Sequence, residues 1–326
     1  MIRLRRRDRN ALIAVALTAV SLTASGCVVV HGEREIVPTT TQAEAVRAVQ
    51  EFTTAYNKAD KAYDSSLDAG YTTGPLGVID SARLKAGKIT DPGGNPDHQP
   101  LALTDVQVTI PKKAGWPRWF VADAEANRGG SQRWLMAFTR NDIAEPWQAA
   151  FLTLVSPGAL PAFKRDAQGY VEEVPASSPE LAVSTDKLSA AYAEYLTTGQ
   201  GAFADGAFTS ALRADREKAT RPGLATQYID EALNDSDYRP IALRTADGGA
   251  LVFFSGHNYT KQTAAAGTAV PAQNASVKAL TTGEIKQSLT MEFVSSAVAV
   301  DPMKGVGDGK VTVLSRVEGL TGAKGE

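Results

Sequence analysis

The order of sequence patterns predicts an α+β protein built from two tandem modules, each an N-terminal helix pair packed on a curved antiparallel sheet. Three observations carry this. Segments of helical period come first and strand-like runs follow consecutively, which argues against the strand–helix alternation of a parallel sheet. The succession then repeats after residue 180. At 326 residues, with 43% apolar and 21% charged side chains, the chain is long enough for about two cores.

The first module is expected over residues 41–174. Thr41-Gln-Ala-Glu44 is a capping-box pattern, in which a hydroxyl and a carboxylate satisfy the first free amides of a helix. Val46, Val49, Phe52, Tyr56 and Tyr63 recur at three- and four-residue spacing, placing one apolar face on a helix over residues 41–64. Gly70 to Gly77 interrupts, and a short second helix is expected over 78–86. Asp91-Pro-Gly-Gly-Asn-Pro-Asp97 is a loop by its turn residues. The period then changes to two over 101–110, 118–126, 132–140 and 147–155, an antiparallel meander, with an edge strand over 169–174.

Residues 175–183, entered through Val174-Pro-Ala-Ser-Ser-Pro179, are expected to link the modules. The second module is expected over 184–319, with 320–326 as a tail. Ser184 or Thr185 caps a helix carrying Leu188, Ala191, Tyr192 and Tyr195 on one face, Thr197 to Gly201 breaks it, and Phe208 to Ala219 continues as another helix. Pro240-Ile-Ala-Leu243 echoes Pro100-Leu-Ala-Leu103 at matched distance from the first helix. Strand-like runs follow at 250–259, 289–300 and 310–317. The Ala/Thr/Gly-rich stretch 260–284 is expected to be a mobile insertion.

Ahead of both modules, Met1 to Asn10 carries Arg3, Arg5, Arg6, Arg7 and Arg9 against Asp8, and Ala11 to Leu22 is uncharged and apolar. That is the layout of a signal peptide, and the apolar run is short for a bilayer span. Leu22-Thr-Ala-Ser-Gly-Cys27 ends in the sole cysteine of the chain, so no intrachain disulfide can form. This stretch resembles the lipobox of bacterial lipoproteins, with Ala24 where leucine is commonest. The resemblance implies cleavage between Gly26 and Cys27, removal of residues 1–26, and a diacylglyceryl group on the Cys27 thiol. Residues 27–40 would then tether the first module within about 45 Å, at ~3.5 Å per residue. An uncleaved anchor over 11–30 is the alternative. Either places the bulk on the extracytoplasmic face of the cell membrane, since the arginines stay inside.

Removing the leader changes the charge: 34 − 5 = 29 cations against 36 − 1 = 35 carboxylates leaves −6. Such a surface is a poor partner for nucleic acid. Among the histidines, His31 falls in the tether, His98 sits in a loop beside Asp97 as a surface residue, and His257 ends a strand where it can face a pocket. No G-x-S-x-G elbow and no His/Cys metal spacing is present. Gly305-Val-Gly-Asp-Gly-Lys310 lacks the spacing and the Ser/Thr of a phosphate loop and reads as a hairpin turn. Asp230, Glu231, Asp235 and Asp237 form a solvated acidic cluster near a helix end, without the glycine and final glutamate of a calcium loop. Trp116, Trp119, Trp134 and Trp147 all fall in the first sheet. They either fill its core or line the mouth of a pocket for a small apolar or glycan ligand.

Long helix, break, then curved sheet is similar in element order to the cystatin-like cone of the nuclear transport factor 2-like superfamily, and the whole resembles two-module lipoproteins of actinobacteria. The expected function is a non-catalytic binding role in the cell envelope, toward a protein partner or small ligand, with membrane contact through the lipid anchor and no cofactor. A pocket enzyme using His257 or a carboxylate as general base, and a solute-binding lipoprotein of a transporter, are the alternatives.

Overall fold

The computed structural model describes residues 35–219 and 221–326. The leader, Gly26, Cys27 and His31 lie outside the described residues. The fold begins at Ile36: Val37–Pro38 is already a strand (β1), and Thr39 and Thr40 are buried. The tether expected to run to Thr40 therefore ends about four residues sooner, because those residues find backbone partners.

Helix α1 spans Gln42–Ala62, capped by Thr41, whose Oγ1 accepts from the Glu44 amide at 3.2 Å. The reciprocal half of the expected capping box, the Thr41 amide on the Glu44 carboxylate, is weak beside that carboxylate's other contacts. The Glu44 carboxylate accepts from Thr40 Oγ1 (2.9 Å) and Trp147 Nε1 (3.0 Å) and pairs with Arg140 (3.1 Å). The cap has become a tie between helix and sheet. Helix α2 spans Gly74–Thr90, longer at both ends than expected, with Pro75 in its first turn where a missing amide costs nothing.

The first meander forms as expected: β2 (Leu103–Thr109), β4 (Arg118–Ala126), β5 (Arg133–Arg140) and β6 (Gln148–Val155) pair antiparallel in that order. Between them, β3 (Pro111–Lys113) pairs antiparallel with β1 and parallel with β7 (Val171–Glu172), a small separate sheet. The second half contributes α3 (Leu188–Thr198), α4 (Ser210–Lys218), β8 (Leu224–Leu233), β9 (Ile241–Arg244), β10 (Ala250–Ala264), α5 (Ala275–Leu280), β11 (Thr281–Thr282), β12 (Ser288–Asp301) and β13 (Thr312–Gly325). Its sheet order is β11-β13-β12-β10-β8, with β9 on the far end of β10.

Three sequence expectations are corrected here. The acidic run near Asp230 lies on strand β8 rather than at a helix end. Residues alternate along it, Asp230 turning inward and Glu231 outward, a period that the neighbouring turn residues obscure. The Pro-Leu-Ala-Leu echo does not mark equivalent strands: Leu103 opens β2, an edge strand of the first ladder, whereas Ile241 opens β9, and it is β8 that occupies the ladder edge. The stretch 260–284 is not a bare loop. It extends β10, then forms α5 with Asn274 accepting from the Val277 amide at 2.9 Å, then β11.

Both sheets are covered on both faces. Phe120, Ala122, Trp134, Met136 and Phe138 meet Val49, Phe52 and Tyr56 of α1. Trp119, Val121, Leu135, Ala137 and Phe151 on the opposite face meet Leu243, Leu251, Phe253 and Val298. Val252, Phe254, Ala297 and Ala299 then meet Leu188, Tyr192 and Tyr195 of α3. The order of layers is helix, sheet, sheet, helix. Serines join the sheets where the free edge of β6 comes against the second: the amides of Leu152 and Leu154 donate to Ser296 Oγ (3.2 Å) and Ser315 Oγ (3.1 Å), which blunts an edge that would otherwise recruit strands. Ile36–Glu326 packs as one compact unit.

The helix pairs do not each stay on their own sheet. Helix α2 crosses over to pack on β6, β12, β13 and α5. Gly319 of β13 permits this: a Cβ there would stand 2.3 Å from Ile79 Cγ2.

Candidate functional site

The small β1-β3-β7 sheet roofs an open groove of about 430 Å³ at the point where the chain enters the fold, lined among others by Ile36, Lys112, Lys113, Arg165, Tyr170 and Glu173. Each wall has a local cause. Strand β1 pairs Val37 with Lys113, which sets Ile36 opposite Ala114. Arg118, at the start of β4, donates to Lys113 O at 2.9 Å and holds the β3–β4 loop. Glu173 accepts from Trp119 Nε1 at 2.8 Å and lies 3.7 Å from Lys113 Nζ. Burial pushes the Lys113 ammonium below its ordinary range despite Glu173. The groove can offer cations and an apolar rim to a ligand, and among the described residues no group of three or more His, Cys, Asp or Glu is placed to hold a metal ion.

The structure does not gather the four tryptophans into one mouth. Trp119 is 1% exposed between the two sheets, Trp134 (6%) and Trp147 (5%) sit on the opposite face beneath α1, and only Trp116, at 41%, meets solvent. Alternation along β4 and β5 is the reason, since neighbouring strand residues point to opposite faces. The guanidinium groups of Arg118 and Arg140 each lie 5.6 Å from the centroid of the Trp116 ring. His257 is on β10 in the second half, half-buried, with Nδ1 3.3 Å from Tyr259 Oη. The space it borders, beside Asp230, Asn258 and Arg316, is only about 10 Å³, room for one water at most. Side chains fill it: Arg216 forks onto Asp230 at 2.6 and 2.9 Å, and Asn258 donates to Glu318 at 2.5 Å.

A second polar cluster escaped the sequence reading. Asp60 on α1 accepts from Arg83 Nη1 (2.6 Å) and Asn95 Nδ2 (3.2 Å), and its other oxygen contact is His98 Nδ1 (2.7 Å). His98 is thus not a solvated loop residue; its side chain is 13% exposed. Burial pushes the Asp60 carboxyl up, but the bonds from His98 and Arg83 outweigh it and hold it below the usual range. Arg83 also reaches Asp80 at 2.8 Å. Burial first, and then the neighbouring Asp80 carboxyl, pushes Asp68 up to about 8, so the pair keeps a proton at neutral pH. The signal was available: Asp60 continues the buried stripe of Phe52, Tyr56 and Ala59, and a charge on an apolar face calls for a partner.

The described fold coincides with a known sequence family. The model of the domain of unknown function DUF8094 matches residues 36–325. The chain belongs to the DUF8094 family. The match begins one residue before β1, so residues 1–35 lie outside it. Over nearly its whole length the chain is similar to two proteins named uncharacterised lipoproteins. One from Streptomyces coelicolor is 62% identical over 323 residues, 99% of this chain and 97% of that protein. The other, from Streptomyces avermitilis, is 57% identical over 324 residues with the same shares. A further uncharacterised lipoprotein of Streptomyces coelicolor is 26% identical over 289 residues, 81% of this chain and 80% of that protein. No solved structure matches.

Proposed function

We propose that this DUF8094 protein is a lipid-anchored lipoprotein held through Cys27 on the extracytoplasmic face of the cell membrane, with a non-catalytic binding role in the envelope. The observation that supports binding over catalysis is the filled interior: apolar and aromatic packing occupies the helix–sheet space of both halves, and polar side chains close the small space beside His257. What remains for recognition is outer surface, including the groove at Ile36. The lipobox and the lipoprotein names of its relatives support the anchor. Two acyl chains would hold the protein stably where one would not, at roughly 0.8 kcal/mol per buried methylene. The repeated order of two helices and a four-strand antiparallel ladder supports descent of the halves from one module, although the Pro-Leu-Ala-Leu echo does not. Replacing Cys27 by alanine is expected to abolish the acyl mass and release the protein from the membrane fraction. Unchanged mass and partition would refute the anchor.

A further inference from the structure

Three large apolar side chains stand exposed where the small sheet adjoins one end of the first: Ile36 at 67% before β1, and Trp116 at 41% and Ile143 at 76% on turns of the first meander. Their proximity follows from register. Ile36 lies across from Ala114, two residues before Trp116, because β1 pairs Val37 with Lys113. Arg118 at the start of β4 pairs with Arg140 at the end of β5, so the turn carrying Ile143 leaves the same end of the sheet. This is also the end at which the chain enters the fold. From Cys27 to Ile36 is 36 − 27 = 9 residues, a reach of at most about 30 Å.

We infer that this end of the sheet rests on the surface of the membrane that holds the protein's own acyl chains, with Trp116 seated at the boundary of headgroups and hydrocarbon. The inference rests on the lipid-anchor reading above. Tryptophan favours that boundary because its ring is apolar and its N–H is wet. Arg118 and Arg140 flank the Trp116 ring, and long cationic side chains at such a boundary keep their heads in water while their stems cover apolar surface. Charge does not drive the contact. Lys112, Lys113, Arg118 and Arg140 are offset locally by Glu44, Asp142, Glu145 and Glu173. The short tether supplies a high local concentration, so an apolar contact too weak to capture a free protein is sufficient.

The test uses the acylated full-length protein in phosphatidylcholine vesicles whose acyl chains are brominated, against unbrominated vesicles. Trp119, Trp134 and Trp147 are buried, so bromine in the hydrocarbon reads Trp116. Quenching on the order of a quarter of the emission, one tryptophan in four, is expected, unchanged by salt and absent in Trp116→Phe. An acylated, vesicle-bound protein with no quenching dependent on Trp116 overturns this contact and leaves the anchor standing. A chain that carries no acyl group and does not partition overturns both. Dimers on the vesicle that shield Trp116 from aqueous quencher, without bromine quenching, overturn it in favour of a second copy as the occupant.

Discussion

Truncating Phe253 in the second sheet should destabilise the first. Phe253 is wholly buried and packs on Phe151 of β6 across the inter-sheet core, ring centroids 5.9 Å apart. Its strand is pinned on the other face by Val252 and Phe254 against α3, so the void left by Phe253→Ala cannot close. A loss of about 3–5 kcal/mol is expected, from the upper part of the range for large-to-small core changes. With a urea dependence of roughly 3 kcal/mol per M for a unit of this size, the midpoint falls by about 1 M or more. The natural probe is tryptophan emission, since all four tryptophans lie between residues 116 and 147 and none is in the sheet being mutated. If the halves share one core, emission and far-UV ellipticity shift together. An unmoved tryptophan transition beside an earlier ellipticity transition would refute the shared core and leave two independent domains. The double variant with Phe151→Ala should recover about 1 kcal/mol of coupling from the ring pair.

The serine contacts between the sheets make a second prediction: Ser296→Ala leaves the half-buried Leu152 amide without its acceptor, costs about 1 kcal/mol, and speeds hydrogen exchange at Leu152. Arg83→Met strips Asp60 and Asp80 of their cation. Allowing for water at the half-exposed Arg83 end, about 2 kcal/mol should be lost. Because the folded Asp60 carboxyl lies below its unfolded value, its contribution is present above about pH 4 and vanishes as pH falls through the folded value; the acid-unfolding midpoint of the variant should therefore rise. Asp68 has the opposite sign. Folded, it keeps its proton up to about 8, whereas unfolded it releases it near 4, so stability drains away between those limits as pH rises. Asp68→Asn should flatten that decline by a few kcal/mol, read as urea midpoints at pH 5 and pH 8; an unaltered slope would place the proton elsewhere.

Local rules were sufficient wherever one chemical pattern dominated. Thr41 and the stripe from Val49 to Tyr56 specify α1, and the turn residues around the first meander bound its four strands, because capping and apolar period act within a few residues. The runs Trp119 to Ala122, Trp134 to Phe138 and Ala250 to Phe254 are apolar on consecutive positions, a mark of strands covered on both sides. Nothing local says what covers them. That the second cover is the other sheet and that α2 leaves its own sheet over Gly319 depend on contacts between residues more than a hundred positions apart. Strand β8 was hidden because its inward Asp230 becomes intelligible only once Arg216 of α4 folds back against it, and the fate of Glu44 because its partners Trp147 and Arg140 come from the sheet. Composition and short-range pattern thus decide which segments are helix or strand and which surface can be wet. Long-range packing decides which buried charges are paired, which aromatics are core, and that Trp116 alone of the four tryptophans faces water.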